Sequence, residues 1–195
     1  VTGALSRQEV AKRIQSTILY AGVARDEIVW HCEECERFGL NAAMVPSRFV
    51  RTAAEVLTGS EVIVASAIDF PLGTMTTVGK QAEACAVVAA GARELDIGVP
   101  VGLAKTGEYG ELRDDLAAVV RAAAPVPVKA MLELLLLSPA ERDAVVDAAV
   151  DAGVAYVKNA SSGAVAGIAT PEQMAYLRGR VPREVGVKAS GGIET

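Results

Sequence analysis

The fold of this chain is decided by two stretches, Val154-Ala155-Tyr156-Val157-Lys158-Asn159 and Val185-Gly186-Val187-Lys188-Ala189-Ser190-Gly191-Gly192. Each is a short apolar run followed by a lysine, which is typical of a buried strand that carries an amine at its carboxyl end. A buried lysine is rare unless it is paired or functional. Because neighbouring ammonium groups repel each other, we expect at least one of the two lysines to lose its proton near neutral pH. An unprotonated amine is a nucleophile for carbonyl groups.

Outward from these two runs, the sequence alternates predicted helices with predicted strands. A capping box at Ser6-Arg7-Gln8-Glu9 predicts a first helix that runs to about Leu19. Glycines 39, 59, 91 and 153 each follow a predicted helix and precede an apolar run, where a left-handed helix end is needed. The predicted strands lie at roughly 41–45, 61–68, 94–99, 126–132, 154–158 and 185–189.

These strands read as continuous apolar runs, which indicates a parallel sheet covered by helices. The fold class is therefore α/β, and the pattern leaves two architectures open, a doubly wound sheet and a (βα)8 barrel. Charged residues stand at the ends of several predicted strands: Asp69, Asp96, Glu133, Lys158 and Lys188. They place polar chemistry at the carboxyl ends of the strands, where a barrel keeps its active site.

Composition and charge exclude several functions. The net charge of -5 gives no basic surface for nucleic acid. No apolar run approaches the length that spans a membrane. Residues 1–11 lack the charged start and apolar block of a signal peptide, and three cysteines, an odd number, fit a reducing compartment. We expect a cytoplasmic protein without nucleic-acid or membrane partners, and a homo-oligomer such as a dimer is compatible with the sequence.

The segment His31-Cys32-Glu33-Glu34-Cys35 has the spacing of a metal or redox motif. A closed zinc site needs four ligands, and the remaining cysteine, Cys85, is distant in sequence. We therefore interpret the segment as part of an amphipathic helix and expect no metal. The chain also lacks a Walker loop and a Gly-x-Gly-x-x-Gly turn.

Six segments, spread in order over nearly the whole chain, resemble the deoxyribose-phosphate aldolase family, class I aldolases with a (βα)8 barrel. They are Ile14–Leu19, Asp69-Phe70-Pro71-Leu72-Gly73, Glu94-Leu95-Asp96-Ile97, Val128-Lys129-Ala130-Met131-Leu132-Glu133, Tyr156-Val157-Lys158 and Gly186–Ile193. No single segment is specific, but their joint occurrence is.

The resemblance implies a role for each matched residue. Lys158 is expected to form the Schiff base, Lys188 to lower the pKa of Lys158 and relay protons, and Asp96 to work with Lys188 and a water. The resemblance also implies substrate or phosphate contacts at Thr17, Gly163, Gly191 and Gly192. A Gly-Gly turn lets backbone N–H groups approach an anion closely.

The implied reaction is the reversible cleavage of 2-deoxy-D-ribose 5-phosphate to D-glyceraldehyde 3-phosphate and acetaldehyde. The resemblance implies cleavage as the biological direction, in deoxynucleoside catabolism. No cofactor is expected, because an iminium nitrogen can accept the electrons of the broken carbon–carbon bond. Two alternatives stay open: an imine-forming aldolase for another short aldehyde or phosphosugar, and a non-catalytic relative that binds phosphorylated metabolites.

Three departures from the family motivate these alternatives. Gln15 stands where members usually carry an acidic residue, and the loop Asn159-Ala160-Ser161-Ser162-Gly163 stands where they usually read Thr-Ser-Thr-Gly. The chain also ends at Thr195, after about six βα units. We therefore expect residues 1–195 to be a single barrel domain that lacks its last two βα units.

Lys129 and Glu133 share one face of a predicted strand. We expect a structural ion pair between them rather than direct chemistry.

Overall fold

Seven strands and eight α-helices make up most of the part of the chain that this computed structural model describes, residues 5–162 and 167–193. The strands are β1 (Gln15–Thr17), β2 (Ala42–Pro46), β3 (Ile63–Ile68), β4 (Glu94–Gly98), β5 (Val128–Met131), β6 (Tyr156–Lys158) and β7 (Gly186–Lys188). The helices are α1 (Arg7–Ala11), α2 (Arg25–Arg37), α3 (Val50–Val56), α4 (Thr77–Ala90), α5 (Val101–Lys105), α6 (Tyr109–Ala123), α7 (Pro139–Asp151) and α8 (Pro171–Arg180).

The chain forms two compact units. The first contains residues 1–67 and 86–94, and the second contains residues 68–85 and 95–195. In the first unit β1 pairs with β2 and β2 with β3, both in parallel. Helix α2 packs on β2 and α3, and its buried face includes Ile28, Cys32 and Cys35.

The predicted first helix is too long. Its capping box at Ser6 is present, but α1 ends at Ala11 and the chain then extends as β1. Gln15 pairs with Ala42, and the N–H of Ile18 donates to the carbonyl of Met44 at 3.0 Å. Pairing with the buried strand β2 therefore outweighs the local preference for helix, which is a weak determinant for a few residues.

The second unit contains the parallel strands β4 to β7, each paired with the next along the chain. Helices α6 and α7 pack against each other. The buried residues Leu112, Leu116 and Val119 of α6 follow helical spacing and form one apolar face. The capping box at Ser138 and the proline that follows it start α7.

The α/β class with parallel strands is confirmed, and the described residues contain seven strands where six were predicted. Within each unit the strands follow their order along the chain, whereas a doubly wound sheet reverses order at a switch point. Glycines 39, 59, 91 and 153 all have positive φ, between 62° and 113°, which confirms their predicted role. Within the described ranges, no helix has both the length and the apolar character needed to cross a bilayer.

Candidate active site

Asp96 is the centre of the candidate site. It lies on β4 in the second unit and its side chain is completely buried. Its partner in the register of β4 and β5 is Lys129, whose Nζ lies 3.2 Å from Oδ1 of Asp96. Because an isolated buried carboxylate is costly, this residue depends on the cations around it.

Lys158 and Lys188 contact the other oxygen of the same carboxylate. Lys158 ends β6 and Lys188 ends β7, and the two residues are partners in the register of these strands. Their Nζ atoms lie 3.1 Å and 3.0 Å from Oδ2 of Asp96. The structure thus brings the three predicted catalytic side chains into one cluster.

Strand register explains why these side chains meet. Lys129, Tyr156 and Gly186 form one row across β5, β6 and β7. Lys158 and Lys188 belong to the row two residues further on, so they project from the same face. A Cβ atom at Gly186 would collide with the ring of Tyr156, and the Nζ of Lys129 lies 5.7 Å from the centre of that ring. Glycine at 186 therefore leaves room for the aromatic ring below the lysines.

The electrostatics of the cluster favour an ionised Asp96. Burial opposes ionisation, but the ammonium groups of Lys129, Lys188 and Lys158 outweigh burial and hold the pKa of Asp96 far below its ordinary value. Burial is also the main reason why the pKa of Lys188 falls to about 8 from its ordinary 10.5. Asp96 raises the pKa of Lys188, and Lys158 and Lys129 lower it further. Lys188 can therefore gain or lose a proton close to neutral pH.

Asn159 connects the loops that follow β6 and β7. Its Oδ1 accepts a hydrogen bond from the N–H of Ser190 at 2.8 Å, and its Nδ2 donates to the carbonyl of Ser190 at 3.0 Å. The hydroxyls of Ser162 and Ser190 also lie 3.2 Å apart. These contacts fix the chain directly after Lys158 against the chain directly after Lys188. Sequence reasoning did not identify Asn159, because nothing in its local pattern specifies a partner 31 residues away.

Two of the predicted phosphate-binding residues lie in the second loop. Gly191 and Gly192 have φ of 99° and 69°, a conformation that L-residues rarely adopt. A Cβ at Gly191 would collide with the carbonyl oxygen of Gly167. Gly163 lies outside the described residues. Thr17 lies on β1 in the first unit, exposed, with its hydroxyl 3.5 Å from the carbonyl of Gln15.

The expected pairing of Lys129 with Glu133 needs correction. Lys129 contacts Asp96, and Oε1 of Glu133 accepts a hydrogen bond from the N–H of Ser161 at 2.6 Å. Glu133 follows the end of β5 in a left-handed conformation with φ of 51°, so its side chain no longer continues the alternation of the strand. The alternation of residues along β5 suggested the pair, but the register with β4 gives Lys129 its partner.

The cysteines of the first unit form a separate, buried group. Cys32 and Cys35 are buried on α2, and burial raises the pKa of their thiols to about 12 and about 11. Nε2 of His31 lies 3.8 Å from Sγ of Cys35 and 3.2 Å from the carbonyl of Ser16. In the part of the chain that the structure describes, no three His, Cys, Asp or Glu side chains are grouped to hold a metal ion. Buried thiols with raised pKa values are poor nucleophiles.

The Asp96 cluster has the parts needed for imine chemistry. Lysine amines react with carbonyls when unprotonated, and a neighbouring cation and burial both favour that form. An ionised carboxylate that accepts hydrogen bonds from two amines holds these amines next to each other, which is the arrangement that proton transfer between them needs.

Comparison with known proteins points to one family. No protein-family model matches the chain. A deoxyribose-phosphate aldolase of Geobacillus sp. strain WCH70 is 40% identical over 185 residues, which cover 94% of this chain and 82% of that protein. A deoxyribose-phosphate aldolase of Aciduliprofundum boonei is 37% identical over 191 residues, which cover 97% of this chain and 86% of that protein.

Two solved structures have the same fold. QR15, an aldolase, superposes with a TM-score of 0.90 at 28% identity and covers 95% of this chain and 83% of its own. The tetrameric deoxyribose phosphate aldolase of Aeropyrum pernix superposes with a TM-score of 0.89 at 27% identity and covers 97% and 80%.

Proposed function

The chain belongs to the deoxyribose-phosphate aldolase family, and from this premise we propose that it cleaves 2-deoxy-D-ribose 5-phosphate reversibly through a Schiff base on Lys158. The products are D-glyceraldehyde 3-phosphate and acetaldehyde, so the enzyme is a carbon–carbon lyase. The observation that carries the proposal is the convergence of Lys158 and Lys188 on one oxygen of the buried Asp96.

The unprotonated amine of Lys158 attacks the aldehyde carbon of the open-chain sugar phosphate. Loss of water from the resulting carbinolamine gives an iminium ion. A base then removes the proton of the hydroxyl on the third carbon, and the bond between the second and third carbons breaks. Its electron pair moves to the iminium nitrogen, which leaves an enamine on Lys158 and releases glyceraldehyde 3-phosphate. Protonation of the enamine and hydrolysis of the imine release acetaldehyde.

Lys188 is proposed to move the protons in these steps, and Asp96 to hold the two amines in place. With a pKa of about 8, Lys188 can donate a proton to the enamine and be recharged without a large cost at neutral pH. Asp96 stays ionised throughout and keeps both amines within hydrogen-bond reach. A buried cluster also excludes bulk water from the enamine.

The proposed phosphate contacts are the backbone N–H groups of Gly191 and Gly192, with Gly163 and Thr17 as further substrate-binding residues. The left-handed conformations of Gly191 and Gly192 support this proposal, since such turns can form an anion-binding nest. The net charge of -5 makes local donors necessary for a phosphate.

The proposed architecture is a (βα)8 barrel, with residues 1–195 in a single barrel domain. The proposed setting is the cytoplasm, in a homo-oligomer such as a dimer, and the tetrameric relative supports association in general. A second candidate, an imine-forming aldolase for another short aldehyde or phosphosugar, is favoured by the serine-containing loop after Lys158, where Ser162 has φ of 63°.

Turnover of 2-deoxy-D-ribose 5-phosphate by matched lysine variants tests the proposal. Lys158→Leu should lower kcat on the order of a thousandfold or more, as expected for loss of a covalent nucleophile. Lys105→Leu is the matched control, because Lys105 is 45% exposed and pairs with Glu141 on the surface. A Lys158→Leu variant that cleaves the sugar like the control would refute the mechanism. Parallel assays with other phosphorylated and free sugars separate the second candidate from the first.

A further inference from the structure

Lys80 on α4 is a completely buried cation outside the Asp96 cluster. Its Nζ donates to Oδ2 of Asp115 on α6 at 2.7 Å and lies 3.3 Å from Oδ2 of Asp69. It also lies 3.5 Å from the carbonyl oxygen of Gly98 at the end of β4. The ammonium group of Lys80 therefore connects α4 to α6, to the residue after β3 and to the last residue of β4.

The loop that follows β3 is closed around this ammonium group. Asp69 has φ of 49°, and its carboxylate accepts the N–H of Met75 at 3.1 and 3.2 Å. Its own N–H donates to Glu83 at 2.9 Å. On the other side, the hydroxyl of Thr77 donates to Oδ1 of Asp115 at 2.6 Å. The carboxylates of Asp69 and Asp115 thus have fixed backbone or hydroxyl donors besides Lys80.

This loop lies directly on the carboxyl end of β4. A Cβ at Gly98 would come within 2.8 Å of Cα of Gly73, and a Cβ at Gly73 would collide with the carbonyl oxygen of Val99. Both glycines are therefore required for the contact. Gly98 lies two residues beyond Asp96 on the same strand, so the two residues lie on the same face of β4.

We propose that Lys80 is a positioning residue for the aldolase reaction: it holds the loop of residues 69–76 on β4 and so keeps Asp96 against Lys158 and Lys188. The inference rests on the proposed function. The hydrogen bonds and ion pairs of Lys80 go to Asp69, Gly98 and Asp115, and not to the Asp96 cluster. Lys80 therefore acts on Asp96 through the backbone of β4.

Loss of Lys80 has a specific electrostatic consequence. Without the ammonium group, two buried carboxylates repel each other and the loop moves off Gly98. The end of β4 then relaxes and Asp96 withdraws from the lysines. Lys188 is faced by Asp96 from β4, Lys129 from β5 and Lys158 from β6, and Asp96 is the partner that raises its pKa. A weaker contact with Asp96 therefore lowers the pKa of Lys188 further.

The test compares Lys80→Met with wild type and with Lys105→Met, which removes an exposed lysine from the same unit. For Lys80→Met we expect kcat to fall about tenfold to a hundredfold, with a smaller change in KM. The pH midpoint of kcat that reports Lys188 should shift to lower pH by about half a unit or more. Lys105→Met should leave both the midpoint and kcat unchanged.

Gly73→Ala provides a second variant if Lys80→Met fails to fold. It forces the loop off Val99 with Lys80 intact, and the same shift of the pH midpoint is expected. If a folded Lys80→Met or Gly73→Ala variant keeps the pH midpoint of wild-type kcat, the positioning role is overturned. This holds even where kcat falls in proportion to the folded fraction. Borohydride trapping of acetaldehyde on wild-type Lys158 is measured alongside. If no acetaldehyde is trapped on Lys158, the proposed function is overturned. If acetaldehyde is trapped but the pH midpoint of the variant is unshifted, only the role of Lys80 is overturned.

Discussion

Replacing Lys188 with methionine should stabilise the protein at neutral pH and abolish its proposed activity. Burial is the main cause that lowers the pKa of Lys188 from its ordinary 10.5 to about 8, with Lys158 and Lys129 adding to it against the pull of Asp96. This difference corresponds to about 3 kcal/mol that the folded state loses by carrying the ammonium form. Methionine has a similar length and carries no charge, so it removes that cost, while Lys129 and Lys158 continue to neutralise Asp96.

The effect has a defined pH dependence. Between pH 8 and 10.5 the unfolded chain keeps the proton on residue 188 and the folded chain does not, so the free energy of unfolding of the wild type rises with pH. The methionine variant lacks this gain. Its advantage should be about 3 kcal/mol at pH 7, about 2 kcal/mol at pH 9 and small above pH 10.5.

Urea unfolding followed by circular dichroism at pH 7, 9 and 10.5 measures this advantage. Any apolar contribution of the methionine side chain is independent of pH, so the change with pH isolates the charge. Lys105→Met should differ from wild type by less than about 0.5 kcal/mol at each pH, because its ion pair is exposed. Burial of the charge at Lys188 is not costly if Lys188→Met is less stable than wild type at pH 7, or if the stability difference between the two proteins is the same at all three pH values.

Three further predictions concern the surroundings of the lysines. Asp96→Asn should lower the free energy of unfolding at pH 7 by about 3–5 kcal/mol, and by less at pH 9, because the lysine side chains around residue 96 lose their counter-ion. Urea unfolding at both pH values measures this loss. Glu133→Gln should lower the free energy of unfolding, measured by thermal unfolding, by less than about 1 kcal/mol, because Oε2 of Glu133 is buried without a hydrogen-bond partner. Glu133→Ala removes the acceptor of the Ser161 N–H and should lower it by about 1–3 kcal/mol. Asn159→Ala should raise KM for the sugar phosphate more than it lowers kcat, because it frees Ser190 and the glycines after it; an unchanged KM would contradict this.

Much of the fold was predictable because its signals are local. Helix starts at Ser138 and Thr170, and helix ends at Gly91 and Gly153, depend on backbone groups within a few residues. Strand β1 was not predictable in the same way. It consists of Gln15, Ser16 and Thr17, has no apolar run and is specified by pairing with β2.

The residues of the candidate site also differ in whether a local sequence signal identifies them. Lys158 and Lys188 were found because a charged residue at the end of an apolar strand is visible in the sequence, and Asp96 was found through the family resemblance. The third lysine on Asp96, Lys129, was assigned to Glu133, because the register between β4 and β5 cannot be read from either strand alone. Lys80 was missed for the same reason, since its partners come from α6, the residue after β3 and the end of β4.

The proposed reaction requires one amine of this cluster to form a covalent C=N bond with the substrate. Reduction of the wild-type protein with borohydride in the presence of acetaldehyde, followed by peptide mass spectrometry, tests it most directly. We expect an ethyl group on Lys158 and none on Lys129 or Lys188. An unmodified Lys158, or an ethyl group on another lysine that survives replacement of Lys158 by leucine, would contradict it.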